Sequence, residues 1–193
     1  MKIEGEKRYG LLLAAKDSEY VKNLYGGYFN VFVDALGDEG ERWDLFRVLC
    51  RALGGKVAKA NTGWDIGVRQ VKILKENFHF IGFPHQLDEI PPALSIIECH
   101  QDEVWEVPVG AQVIAFSDKT GVEMFRFGDY ILGIQGHPEY NQGILINLID
   151  RLLSNNSIEE NFAENVKLQL LISEPDRKYW EKICKSFLKG RMV

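Results

Sequence analysis

Apolar positions first gather at residues 9–15, where only Gly10 breaks the run. A run of this kind predicts a buried strand. A polar stretch rich in Tyr and Gly follows and ends at Gly26-Gly27. Residues 30–36 alternate in character and hold two valines, which predicts a second strand. Beyond the loop Gly37-Asp38-Glu39-Gly40, apolar residues recur at 45, 46, 49, 52 and 53. That is helical spacing, so residues 43–53 are predicted as a helix, with Gly54-Gly55 as its stop.

The pattern then changes. Short strand-like runs occupy 57–60, 65–74, 79–83, 94–99, 111–116, 122–127 and 130–134, parted by turn residues such as Asn61-Thr62-Gly63 and Pro91-Pro92. After Gly136-His137-Pro138-Glu139 the spacing becomes helical again. Residues 141–153 place apolar side chains at 144, 145, 148, 149, 152 and 153, and helices at 158–172 and 176–188 follow, split by Pro175. The order predicts an α/β protein: an open sheet covered by helices, with a small antiparallel patch inserted.

Composition narrows the class. The 193 residues point to a single domain, and 46% hydrophobic residues are enough for a core. The net charge of −5, without a basic stripe, argues against nucleic acid and anionic membrane as partners. The apolar run at 11–15 is far too short to span a bilayer, and the acid-bearing N-terminus does not read as a targeting peptide. Cys50, Cys99 and Cys184 form no close pair, so no disulfide framework is expected. The expectation is a reducing compartment, the cytosol.

Two stretches could carry chemistry. In the first, the apolar strand 130–134 runs into Gln135-Gly136-His137-Pro138-Glu139-Tyr140. In open α/β sheets, functional groups collect just beyond the carboxyl ends of strands. His137 titrates near neutrality and suits general-base work, and Glu139 could hold its imidazole in one tautomer. A turn with a surface histidine and a helix-capping acid fits the same pattern. The second stretch is Glu98-Cys99-His100-Gln101-Asp102-Glu103-Val104. Neighbours on a strand face opposite ways, so Cys99 and His100 are poorly placed to share a proton, and Cys99 reads as buried and inert. No metal site is expected, because His79 and His85 lack partners at zinc-binding spacing. No phosphate-binding glycine loop occurs, and no cofactor is expected.

Together with Arg8-Tyr9-Gly10-Leu11-Leu12-Leu13-Ala14, Tyr25-Gly26-Gly27-Tyr28-Phe29-Asn30 and the tail Trp180-Glu181-Lys182-Ile183-Cys184-Lys185, these two motifs resemble the class I glutamine amidotransferase-like proteins, and within them the plant γ-glutamyl peptidases. The resemblance implies a flavodoxin-like three-layer fold and hydrolysis of the γ-glutamyl amide bond of glutathione-type conjugates by a Cys-His-Glu triad. It assigns His137 as base and Glu139 as orienter, and puts His100 and Gln101 on the side of a small γ-glutamyl substrate. One element of the pattern is missing. The family's nucleophile sits in a Gly-x-Cys-x-Gly-His-Gln elbow, and this chain has no such sequence. Cys50 lies in Val48-Leu49-Cys50-Arg51-Ala52 without flanking glycines. Two family segments look joined near Val48-Leu49, with a strand–helix–strand unit and the oxyanion-hole glycines absent. The chain therefore reads as an internally deleted and inactive form. The alternative is a non-catalytic binding or regulatory module, or an unstable truncated isoform. Loss of central strands would leave edges open to association.

Overall fold

The oxygen of Ser18 accepts a hydrogen bond from the Val21 amide at 3.2 Å, and this cap opens the first helix. The computed structural model describes residues 8–12, 17–39, 41–46, 50–78 and 90–189. It divides into two compact units, Met1–Leu49 and Cys50–Val193. The division falls beside the Val48-Leu49 join inferred from the sequence.

The first unit runs β1 (Arg8–Leu12), α1 (Glu19–Tyr25), α2 (Tyr28–Leu36) and β2 (Arg42–Phe46). Strands β1 and β2 pair in parallel, with Tyr9 opposite Trp43 and Leu11 opposite Leu45. The helices supply the crossover that a parallel pair requires. Two predictions fail here. Residues 30–36 are helical, not a strand. Tyr28, Val31 and Leu36 are buried, which is i, i+3, i+8 spacing, and the Tyr28 amide donates to Asp17 Oδ1 at 2.8 Å. The capped, helical period outweighs the two valines. The break before this helix is Gly26, whose φ of +74° closes α1 by letting its amide reach the Lys22 carbonyl. The predicted helix at 43–53 is also absent. Its first residues form β2, and residues 50–53 make only a turn, with the Leu53 and Gly55 amides donating to the Cys50 carbonyl. The helical spacing arises from two segments set end to end, and pairing with β1 decides the first of them. Residues 13–15 and 47–49 lie outside the described residues.

The second unit holds β3 (Lys56–Lys59), β4 (Asp65–Ile73), β5 (Ala93–His100), β6 (Asp102–Glu106), β7 (Ala111–Phe116), β8 (Met124–Phe127) and β9 (Ile131–Ile134). The helices α3 (Gln142–Ser154), α4 (Glu160–Leu170) and α5 (Arg177–Lys189) follow. The α/β class is as expected, and the antiparallel part is its largest sheet, five strands in the order β5-β4-β7-β8-β9. A small second sheet pairs β3 with β6, a strand the apolar pattern does not reveal because its residues are charged or half-exposed. The run predicted at 79–83, with His79 and His85, lies outside the described residues.

Helix α5 is fastened to β5 through one residue. Ser95 donates its amide to Asp176 Oδ2 at 2.7 Å, and its carbonyl accepts from the Asp176 amide and from Trp180 Nε1. Trp180 is 1% exposed and packs with Val71, Leu94, Ile96, Met124 and Ile183 in the main core. No described helix is long and apolar enough to cross a membrane. Replacing Trp180 with Ala removes both the largest buried side chain and the Ser95 hydrogen bond. The expected loss is about 3–5 kcal/mol in the unfolding free energy, read from urea denaturation.

Candidate active site

Strands β5 and β9 are the two edges of the five-stranded sheet, yet the chain just past β9 comes back to β5. The His137 amide donates to the Ile97 carbonyl at 2.7 Å, an isolated antiparallel bridge. The sheet is therefore curled, and the two His-containing motifs meet. His100 is the last residue of β5, and His137 lies just beyond the end of β9. This is the placement beyond strand ends that the sequence suggests.

His137 and Glu139 are brought together. Nδ1 of His137 lies 3.0 Å from Oε1 of Glu139, a carboxylate that is 5% exposed. A carboxylate accepts, so the proton sits on Nδ1 and Nε2 carries the lone pair. The ring stacks flat on Tyr140, with centroids 3.8 Å apart and planes 1° from parallel. The Tyr140 amide turns back to the His137 carbonyl, and Asn141 then caps α3 through the Ile144 amide. The tautomer, tilt and backbone of His137 are all fixed. That geometry is compatible with a base held by an orienting acid.

The thiols are elsewhere in chemical terms. All three cysteines of the sequence are described and free. Cys50 is packed against Val122 and Phe125, and burial pushes its thiol up. Burial pushes Cys99 up to about 12, with the Arg151 guanidinium opposing. Cys184 is likewise raised to about 12 by burial, with Glu139 and Glu181 adding to the shift. None is the depressed, partly exposed thiol that a nucleophile requires. Cys99 faces away from His100 on β5, as alternation along the strand dictates.

The structure also gathers a group of which the sequence singles out His100 but not its meeting with Glu98 and Glu123. Glu98 and His100, two residues apart on β5, share a face with Glu123, which leads into β8. One ligand-type atom from each lies within 4.8 Å of the others. Glu98 is 0% exposed, and His100 Nε2 is 3.2 Å from its Oε2. Burial pushes Glu98 up to about 8, with His137 opposing and Asp65 adding. Glu123 rises to about 8 for the same reason, reinforced by Glu98. Burial lowers His100. Asp65 nearby is paired with Arg69 and Lys119. Gln135 orders the group: its Oε1 accepts from the Val104 amide at 2.9 Å, which turns its Nε2 to His100 Nε2 at 3.3 Å. Gln101 occupies the half-exposed bend after β5, its carbonyl accepting from the Ala60 amide. The signal for Glu123 was an acid beside apolar residues in the strand run 122–127. Its meeting with Glu98 depends on the sheet's curl and is invisible in spacing.

The sequence model of the family described as glutamine amidotransferase class-I matches residues 46–147. Gamma-glutamyl peptidase 5 of Arabidopsis thaliana is 38% identical over 248 aligned residues, covering 98% of both chains. Gamma-glutamyl peptidase 3 of the same plant is 39% identical over 247, covering 97% of this chain and 99% of its own. Both alignments are longer than the 193-residue chain while covering both proteins nearly end to end, which requires internal gaps on this side. The crystal structure of a glutamine amidotransferase from Thermotoga maritima superposes with a TM-score of 0.54 at 17% identity, covering 98% of this chain and 81% of that one. That likeness shows the shared flavodoxin-like α/β fold.

The buried carboxyls set a pH dependence. Each keeps its proton in the fold at pH values where the unfolded chain, near the ordinary 4.5, has lost it. Their stability contribution is fully present below 4.5 and is lost as pH rises through about 8. His100 acts in the opposite sense, costing stability as pH falls below its ordinary 6.5. In EDTA-containing buffer the thermal midpoint should fall as pH rises from 4.5 to 8, and Glu98→Gln/Glu123→Gln, which retains His100, should flatten the fall. A midpoint that rises across this window equally in both proteins would contradict the assignment.

Proposed function

We propose that this chain, which belongs to the glutamine amidotransferase class-I family, is a protein of the γ-glutamyl peptidase type that keeps the base and orienter of the triad but not its nucleophile. The observation that carries the reading is the pairing of His137 Nδ1 with Glu139 at 3.0 Å, in a chain whose three thiols are all raised by burial.

In the full chemistry a thiolate attacks the γ-glutamyl carbonyl, and the imidazole takes the thiol proton and delivers it to the departing amine. His137 Nε2 is the atom for both transfers. Glu139 stabilises the imidazolium between them. A His–Glu pair can activate a nucleophile but cannot replace the covalent one, and loss of the nucleophile costs several orders of magnitude in rate. The elbow and its oxyanion donors, each usually worth about 10²–10³ in rate, belong to the segment we infer to be missing near Val48-Leu49. Support comes from the internal gaps in the alignments and from the boundary between units at Leu49 and Cys50.

The ligand class we assign is a small γ-glutamyl compound of the glutathione-conjugate type. The resemblance would have Gln101, at the half-exposed bend after β5, and His100 on the side of this ligand. A second reading, binding without turnover, is favoured by the His137 side chain, which is 27% exposed and still held in place. Three free cysteines support a reducing compartment, the cytosol.

The test is an assay of the purified protein with a γ-glutamyl dipeptide, together with Cys99→Ser and His137→Ala. The expected result is no turnover above the uncatalysed rate in any of the three. Binding of the dipeptide by calorimetry, lost in His137→Ala, would select the binding reading. Turnover abolished by both substitutions would make Cys99 the nucleophile and overturn the proposal.

A further inference from the structure

We propose that Glu98, His100 and Glu123 form a binding site for one divalent transition-metal ion, zinc being the probe. The site shares His100 with the substrate side of the peptidase reading but uses neither His137 nor Glu139, and its test does not depend on turnover.

Three observations carry it. First, both carboxyl groups are buried, at 0% and 3% exposure, and beyond their contacts with each other, with His100 and with Ser117 their oxygens have no partner among the described residues. Buried polar groups are almost always satisfied, and leaving one unsatisfied costs about 1–3 kcal/mol. Acids buried this close to each other and to an imidazole are held by a shared proton or by a bound cation, and the three groups supply a donor set for the cation.

Second, the imidazole presents a lone pair there. The Val104 amide must meet an oxygen, so Gln135 turns its Oε1 to Val104 and its NH₂ group to His100 Nε2. That nitrogen is therefore the unprotonated one, and it stands 3.2 Å from Glu98 Oε2. Two acceptors at that separation repel unless a proton or a cation lies between them. Ligand atoms around a tetrahedral zinc, at bonds of about 2.0–2.1 Å, are about 3.3 Å apart. All three donors lie within 4.8 Å of one another, so closing on an ion needs only small side-chain shifts.

Third, the chain leaves the space open. A Cβ at residue 136 would lie 2.4 Å from Glu98 Oε1, and Gly136 has none. The neighbouring cations, Arg69 and Lys119, are ion-paired with Asp65, and Arg69 only partly offsets the effect of burial on Glu98. Two carboxylates and one imidazole carry the charge that balances a dication and leave a fourth position for water. The nitrogen ligand selects zinc, manganese or iron(II) over magnesium and calcium, which prefer oxygen alone.

The sequence expectation of no metal rested on His and Cys spacing. A site built from i, i+2 on one strand and an acid on another has no such signature.

The experiment uses the full chain, stripped with EDTA and titrated with ZnCl₂ by calorimetry and by thermal denaturation, alongside Glu98→Gln and Glu123→Gln. The expected result is one ion per chain, a raised thermal midpoint, and affinity weakened about 100-fold or more in each variant. The glutamine variants remove buried charge without changing shape, so their metal-free midpoints should match or exceed that of the unsubstituted protein. If one variant fails to fold, the other decides. Cobalt(II) should give d–d absorption without a thiolate charge-transfer band, and MgCl₂ should have no effect. Absence of saturable zinc binding would overturn the proposal, as would affinity unchanged in a folded variant, or a thiolate band showing that the cysteines hold the ion.

Discussion

One main-chain hydrogen bond, from the His137 amide to the Ile97 carbonyl, organises the functional end of this protein. It joins the segment leaving one edge of the five-stranded sheet to the strand at the other edge. With that bond in place, Gln135 reaches Val104 and His100, Gly136 lies against the Glu98 carboxyl, and His137 stands over Glu139. Without it, two motifs separated by more than thirty residues have no reason to meet.

The arrangement carries a cost that the rest of the unit offsets. Two acids are held in a dry pocket where burial favours their protonated forms. The core beneath, anchored by Trp180 and by Ser95 binding Asp176, holds β5 in place while it carries them. Buried groups that oppose folding are characteristic of sites where binding or catalysis is at stake. The same rigidity holds His137 against Glu139 and Tyr140.

Much of the second unit was legible in the sequence. Helix α3 follows from apolar spacing, β4, β5 and β7 from apolar runs bounded by turns, and the motif holding His137 and Glu139 from its place after a strand. The first unit was harder, for two reasons. The helix Tyr28–Leu36 has an alternating stretch that imitates a strand, and only the Asp17 and Gly26 contacts at its start reveal it. The stretch 43–53 imitates a helix because a strand and a turn abut there with apolar residues in step. The Glu98–His100–Glu123 group was illegible because it is assembled by curl, a property of the whole sheet that no local spacing encodes.

The central claim is that this chain holds a base and its orienter whose missing partners, the nucleophile elbow and the oxyanion donors, belong to one absent segment. The most direct measurement is to insert, between Val48 and Leu49, the segment of Arabidopsis gamma-glutamyl peptidase 5 that has no counterpart here, and to follow γ-glutamyl dipeptide hydrolysis. The account predicts hydrolysis that appears with the insert and disappears with His137→Ala. A folded insert-bearing protein that stays inactive, or whose activity survives His137→Ala, would contradict it.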